Sequence, residues 1–240
     1  MPILRVASNK PIAADVWRME LEGDVPQLAA GSFVELTVPG YYLRRPFSVC
    51  ASSPGKLTLV YKVVGKGTTQ MAQWTPDMQT DVLTGLGNGF DCSAPGKRFL
   101  LIGGGLGVAP LYQLARTLHD RGGTTILAAG FQSEKDIFLK EEFSTICESV
   151  YYATADGSCG QKGLVTELLA DLSYDYFYAC GPIPMLRAVQ AAASTNGQLS
   201  LEARMGCGFG ICMGCSIQTT NGPKRVCKEG PVFGKEELIW

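Results

Sequence analysis

Four cysteines crowd into one glycine-rich stretch near the C-terminus: Cys207, Cys212, Cys215 and Cys227. Four residues separate the first two, two the next pair, and eleven the last. Thiolates are soft ligands, and four of them satisfy either one tetrahedral zinc ion or the two irons of a [2Fe–2S] cluster, each iron taking two. The x4 and x2 spacings, with a fourth cysteine further on, suit the cluster. Glycines at 206, 208, 210 and 214 let the backbone curl round inorganic sulfides, so that N–H groups reach the sulfurs. Structural zinc, the alternative, usually pairs two short hooks. Here there is one C-x2-C, a lone Cys227 and a tight x4 loop full of glycine. Cys50, Cys92, Cys147 and Cys159 read as small buried hydrophobes rather than ligands. The single histidine, His119, excludes a multi-histidine metal site and argues against a serine–histidine hydrolase; it falls on the surface of an ordinary helix.

A second set of residues suits a dinucleotide. Arg44-Arg45-Pro46-Phe47-Ser48-Val49 offers a guanidinium that can fork to a diphosphate, and a serine three residues later that can face a flat heterocycle. By itself this reads by default as a solvated arginine pair at a strand edge. Val60-Tyr61-Lys62 follows, then Gly65-Lys66-Gly67-Thr68-Thr69, where a Gly-Thr-Thr step opening a helix presents N–H groups and hydroxyls to a phosphate. An ordinary threonine-capped turn would look the same. Arginine, serine, tyrosine and phosphate loop in this order suit a flavin dinucleotide.

The third set is Ile102-Gly103-Gly104-Gly105-Leu106-Gly107-Val108-Ala109-Pro110, a glycine-rich turn joining a strand to a helix. Glycines there let the backbone approach a ligand at the C-terminal edge of a sheet, or simply let helix pack on strand. It is not G-x-G-x-x-G, and Gly130-Phe131-Gln132 stand where a dehydrogenase domain would end its second strand on an acidic residue. Cys180-Gly181-Pro182 ends a later strand on the same edge; Cys180 either faces a nicotinamide or is a buried thiol. Gln132, Ser133, Glu134 and Lys135 have mixed signs and leave NAD against NADP open.

The elements that must position these residues change character twice. Residues 1–94 alternate short apolar runs, such as Phe33–Val38 and Leu57–Val64, with Gly, Pro and Ser, the pattern of a small β-barrel or sandwich. Residues 95–200 alternate strands (98–102, 124–130, 149–154, 176–180) with helices (111–121, one containing Phe138 and Phe143, 164–172, 184–193). That predicts a parallel α/β sheet. Ser133 and Asp136 have capping-box spacing ahead of the second helix. Residues 201–240 form a cysteine-rich tail in which Phe233 reads as core and Trp240 is open. With 46% hydrophobic and 18% charged residues, the 240-residue chain has the composition of a folded protein. Its 21 basic and 22 acidic side chains leave a net charge of −1, which argues against nucleic-acid binding through phosphate contacts. No apolar run is long enough to span a membrane, and the N-terminus carries no signal core. Nine clustered and scattered thiols fit a reducing compartment, so the expected location is the cytoplasm.

In this order, Arg-Pro-Phe-Ser, Gly-Thr, Gly-Gly-Gly-Leu-Gly-Val-Ala-Pro and Cys-Gly-Pro resemble the ferredoxin–NAD(P) reductase superfamily. Within it the chain is similar to the family of electron-transfer subunits of NAD-dependent dihydroorotate dehydrogenase B. The specific stretches are Glu202-Ala203-Arg204-Met205-Gly206-Cys207-Gly208 and Cys227-Lys228-Glu229-Gly230-Pro231-Val232-Phe233. The resemblance implies a flavin-binding β-barrel, a parallel α/β nucleotide-binding domain and a small [2Fe–2S] module. It implies FAD held by Arg45, Pro46, Phe47, Ser48, Val60, Tyr61, Lys62, Gly67 and Thr68, and NAD lined by Gly104, Gly105, Leu106, Gly107, Cys180, Gly181 and Pro182. The cluster would be ligated by Cys207, Cys212, Cys215 and Cys227. Thr84-Gly85-Leu86-Gly87-Asn88-Gly89-Phe90 departs from the family, which would place Gly-Pro ahead of the Leu-Gly. The implied reaction oxidises dihydroorotate at the FMN of a separate catalytic subunit, in a heterotetramer of two plus two. Electrons then pass through the cluster and FAD to NAD+. Related NAD(P)H–ferredoxin oxidoreductase or sulfhydrogenase reductase subunits, and a non-enzymatic zinc-stabilised binding protein, are the alternatives.

Overall fold

The computed structural model describes residues 2–240. β1 (Ile3–Ala13), β2 (Val16–Glu22), β3 (Phe33–Leu36), β4 (Arg45–Ser53), β5 (Lys56–Lys62) and β6 (Gln79–Leu86) close into an antiparallel barrel in the order β1-β2-β5-β4-β3-β6. Alternation does the work: Leu4, Val6, Met19, Leu21, Val34, Leu36, Leu57, Leu59 and Val82 point inward and are buried. β4 begins on Arg45 and Pro46, opposite Leu36 and Glu35 of β3. Pro46 has no N–H to donate, so pairing at that end of the strand is incomplete. A short helix, α1 (Lys66–Met71), follows β5.

The next segment is a parallel sheet. β7 (Arg98–Gly104), α2 (Val108–Asp120), β8 (Thr124–Phe131), α3 (Lys140–Ser144), β9 (Ser149–Thr154), β10 (Gln161–Lys162), β11 (Tyr176–Cys180), α4 (Ile183–Ala192) and β12 (Gly197–Ser200) run in sequence. The tail adds a β13 (Ser216–Thr219) and β14 (Gly222–Arg225) hairpin and then β15 (Val232–Gly234). The sheet order is β10-β9-β8-β7-β11-β12-β15, with β15 antiparallel at the edge. Both faces are covered, which is why its central strands β7, β8 and β11 are apolar. Leu101, Leu127, Ala129 and Tyr178 face α2 through Leu111, Leu114 and Leu118. Leu100, Ile102, Ile126 and Phe177 face α4 through Leu186 and Val189. Among the described residues no helix is long and apolar enough to cross a membrane.

The barrel is fastened to this sheet through α2. Gln113 on α2 donates to the Leu28 carbonyl and accepts from the Ser52 hydroxyl, which itself accepts from the Leu28 N–H. At the other side Lys62 pairs with Asp136 at 3.7 Å.

Two elements differ from the sequence expectation. The helix expected across Phe138 and Phe143 is a single 3-10 turn at Glu134–Asp136, an extended step, and the five-residue α3. Phe138 packs edge-on against Phe131 at 5.7 Å, and that contact draws the chain out of a helical path. Ser133 donates to the Asp136 carboxylate instead of completing a capping box. Residues 165–171 form a 3-10 helix rather than an α-helix. Cys92 and Cys159 are only half-buried, unlike Cys50 and Cys147. His119 is exposed on α2, as expected. Phe233 is core at 2% exposure, and Trp240 caps α4, donating from its indole to Gln190 under the Arg187 guanidinium at 5.3 Å.

The atypical Thr84–Phe90 turn has a structural task. Asn88 donates from its side chain to the carbonyls of Glu229 (3.0 Å) and Val232 (2.8 Å), and accepts from the Val232 N–H (3.2 Å). Its own N–H donates to the Gly230 carbonyl at 2.8 Å. One barrel turn thus clamps the segment that follows Cys227. Asn88→Ala removes three side-chain hydrogen bonds at a partly exposed site and is expected to cost about 1–3 kcal/mol. A denaturant titration of wild type and variant checks this; an unchanged midpoint would show that the clamp contributes nothing.

Candidate functional site

The four tail cysteines fall into two pairs. The Cys212 N–H donates to the Cys207 sulfur at 3.4 Å, and the Cys227 N–H donates to the Cys215 sulfur at 3.4 Å. Cys215 and Cys227 are buried in the core beneath α4, alongside Val226 and Phe233, whereas Cys212 is exposed. These environments set the thiols apart. The Cys212 N–H, helped by those of Phe209 and Ile211, holds the Cys207 thiol down at about 6, so the thiolate that a metal needs is favoured there. Burial, and then the neighbouring Cys215, pushes Cys227 up to about 12. Two thiol pairs, each with an amide donor on a sulfur, match the donor set of a two-iron cluster. Among the described residues no three His, Cys, Asp or Glu side chains gather round a single point.

A hollow of about 330 Å³, open to solvent on one side, lies between barrel and sheet. Arg45, Pro46, Phe47 and Ser48 of β4, Val60, Tyr61 and Lys62 of β5, and Thr68 of α1 line it. Gly67 stands at its edge, where a Cβ would lie 3.0 Å from Arg45 Nε. Phe47 meets Tyr61 edge-on at 5.8 Å, and the Tyr61 hydroxyl donates to Asn9 at 3.0 Å. Burial pushes that phenol up to about 12, so it stays neutral. Arg45 stacks over Tyr41 at 4.9 Å and donates to the Leu43 carbonyl. The Thr68 hydroxyl accepts the Gly65 N–H at 3.2 Å, so this threonine does close its own helix turn. Apolar walls with a guanidinium, an ammonium and hydroxyls at the rim fit a flat heterocycle carrying a diphosphate.

A second hollow opens at the C-terminal ends of the parallel strands. Gly104 and Gly105 at the end of β7, Gly130 to Gln132 at the end of β8, and Pro182, Pro184 and Met185 entering α4 line it. It sits where the strand order reverses, between β7 and β11, which is where open α/β sheets bind nucleotides. The glycine turn is not uniform in its work. Leu106 and Cys180 face the first hollow, not this one. Gly107 lines neither; a Cβ on it would lie 2.1 Å from the Cys180 carbonyl oxygen, so only glycine lets α2 start this close to the end of β11. Gly181 packs against Gly104 and Met185. The Cys180 thiol is 2% exposed and pushed up to about 12 by burial, then by Glu202, leaving it neutral.

The C-terminal residues 202–239 match the family model described as the iron-sulfur cluster binding domain of dihydroorotate dehydrogenase B, and residues 101–191 match the oxidoreductase NAD-binding domain. The electron transfer subunit of dihydroorotate dehydrogenase B (NAD(+)) from Geobacillus sp. (strain WCH70) is 41% identical over 98% of this chain and 97% of that protein. The chain belongs to this family. The corresponding subunit from Fusobacterium nucleatum subsp. nucleatum is 38% identical over 95% of this chain and 94% of its own. Among solved structures, an NADH-dependent reduced ferredoxin-NADP oxidoreductase superposes with a TM-score of 0.89 at 28% identity, covering 99% of this chain and 90% of that one. Phthalate dioxygenase reductase shares the fold, with a TM-score of 0.69 at 18% identity over 91% of this chain and 86% of its own. The chain is therefore an electron-transfer subunit of an NAD-dependent oxidoreductase, and the zinc-stabilised binding protein is set aside.

Sequence reasoning missed one wall of the first hollow. Ser200, Leu201, Glu202, Ala203 and Met205 line it, on the segment running from the end of β12 to Cys207. The signal was positional: only four residues separate Glu202 from the first cluster cysteine. Glu35 of β3 was also missed; it is buried beside Gly208 and Cys207, and burial raises its carboxyl. Glu202 is exposed at the rim of the hollow, and partial desolvation there raises its carboxyl above the ordinary 4.5. The folded chain holds this proton more tightly than the unfolded chain, so stability is lost as pH rises through the raised value. Glu202→Gln is expected to raise the unfolding midpoint at about pH 7, and the gain to vanish by about pH 4, where both states are protonated. A pH series of unfolding midpoints checks this; a gain that grows towards acid would contradict it.

Proposed function

We propose that this subunit passes electrons, taken from dihydroorotate by an FMN-containing catalytic partner, to NAD+. In this reading residues 1–94 bind FAD, residues 95–200 bind NAD and residues 201–240 carry the [2Fe–2S] cluster. When bound, FAD exchanges single electrons with the cluster and a hydride with the nicotinamide. One observation carries the reading. The hollow between barrel and sheet is walled by Leu106 and Cys180 from the nucleotide-side strands, and by Ser200–Met205, the segment that leads into Cys207. A group lying there touches both the hydride side and the single-electron side.

The residues then divide the work. Arg45 and Lys62 neutralise a diphosphate, Gly67 and Thr68 offer the N–H groups that open α1, and Pro46, Phe47, Ser48, Val60 and Tyr61 bracket the heterocycle. Gly104, Gly105 and Pro182 line the nicotinamide nucleotide's crevice, Gly107 and Gly181 keep it open by close packing, and Leu106 and Cys180 form the wall between the two sites. Cys207 and Cys212 hold one iron, and Cys215 and Cys227 the other. NAD rather than NADP is favoured by Glu134 and Asp156 against the single Lys135 in the loops beyond β8 and β9, Asp136 being paired with Lys62, since carboxylates repel a ribose phosphate. All nine thiols are free, which suits a reducing cytoplasm.

The partner meets the cluster loop. Phe209, Ile211 and Met213 are 48%, 76% and 54% exposed around the exposed Cys212, an apolar patch at the shortest route from cluster to surface. We take the complex to hold two catalytic and two electron-transfer subunits. Co-expression with the FMN subunit, affinity capture of either chain and assay of dihydroorotate-dependent NAD+ reduction test the proposal. The expected result is co-purification and activity, with Ile211→Asp weakening capture by about tenfold or more, roughly 1.4 kcal/mol of interface energy. Subunits that neither co-purify nor accelerate NAD+ reduction on mixing would refute it.

A further inference from the structure

The two cysteine pairs come from separate pieces of chain, and something must fix the spacing between them. The first ligand loop, residues 207–212, presses onto the turn that carries Cys227. Gly210 lies at φ +92, and a Cβ there would come within 2.9 Å of Lys228 Cβ and 3.2 Å of Arg225 Nη1. Arg225 Nη1 donates to the Gly210 carbonyl at 2.5 Å. The same side chain is oriented from its other edge. The Glu229 carboxylate accepts from the Arg225 backbone N–H at 2.7 Å and from Nε at 3.0 Å, and it also takes Nη2. The Arg225 carbonyl in turn accepts from the N–H groups of Lys228 at 3.0 Å and Glu229 at 2.9 Å, closing a tight turn with Cys227 inside it. Across the hairpin Arg225 stands opposite Ser216, the residue after Cys215.

We propose that Arg225, held by Glu229, is a positioning residue for the cluster: its guanidinium bridges the 207–212 loop to the Cys227 turn and so sets the distance between the two thiol pairs. The inference rests on the assignment of these four cysteines to a [2Fe–2S] cluster. A planar fork is needed for the task, because one edge must satisfy Glu229 while a further donor reaches Gly210. An ammonium at the end of a lysine chain keeps the charge and cannot do both.

The test uses the full chain purified without oxygen, as wild type, Arg225→Gln, Arg225→Lys and Glu229→Gln. Flavin content reports folding of the remainder. The cluster is read by electron paramagnetic resonance of the reduced protein and by competition with an iron chelator. Both arginine variants are expected to bind the cluster roughly 10–100-fold less tightly, the usual loss for partners just outside a metal's ligands, and to give broadened or shifted resonance spectra. Glu229→Gln should shift the spectrum in the same sense, and it carries the test if either arginine variant lacks flavin. A wild-type spectrum and chelator resistance in Arg225→Gln, or in Glu229→Gln where that variant carries the test, would overturn the proposal. Full rescue by lysine would also overturn it, showing that charge alone matters. Wild-type protein with flavin but no cluster signal would instead overturn the cluster assignment on which the proposal rests.

Discussion

A stretch of forty residues with three short strands and four thiols destined for metal cannot bury a core of its own, and it is stabilised by joining someone else's. β15 pairs antiparallel with β12, placing Phe233 opposite Leu199, and Val226, Cys215, Cys227 and Phe233 enter the core under α4. Everything about the cluster site follows from that borrowed core. Two sulfurs are fixed in the interior, where the barrel turn at Asn88 clamps the segment after Cys227, and the other two ride on a loop tied back by Arg225. Rigid sulfurs inside and accessible sulfurs outside are what a centre needs if it is to keep its geometry while meeting a partner.

The same constraint brings three sites onto shared walls. β12 ends at Ser200, and the next residues line the barrel-side hollow before reaching Cys207. β11 ends at Cys180, whose side chain faces that hollow while Pro182 beyond it faces the nucleotide crevice. Neighbouring parallel strands thus deliver one wall each, Cys180 standing in register with Ser200. Electron transfer between the sites depends on short separations, and adjacent strand ends supply them without mobile linkers.

Much of this was legible in the sequence because it is local. The spacing of Cys207, Cys212, Cys215 and Cys227, the glycine turn after an apolar strand, and the two-sided apolar runs of β7, β8 and β11 each need only a few consecutive residues. What was not legible is decided by distant partners. β12 (GQLS) and β15 (VFG) are too short and too mixed to read as strands, and pair only because the sheet edge is there. The helix expected across Phe138 gave way to its contact with Phe131, and Glu202 and Glu35 carry no motif at all. Leu106 and Cys180, read as nicotinamide-side residues, turn instead towards the barrel, a choice set by the packing of α2 on β11.

The central claim is that one chain couples a flavin to a two-iron cluster and to NAD. The most direct measurement is an anaerobic titration of the purified chain with NADH, and with NADPH in parallel, followed by visible absorption. The account predicts a brown-yellow protein whose flavin and iron–sulfur bands both bleach with NADH and respond weakly to NADPH. A colourless, zinc-containing protein, or a flavin that bleaches while the cluster band stays unchanged, would contradict it.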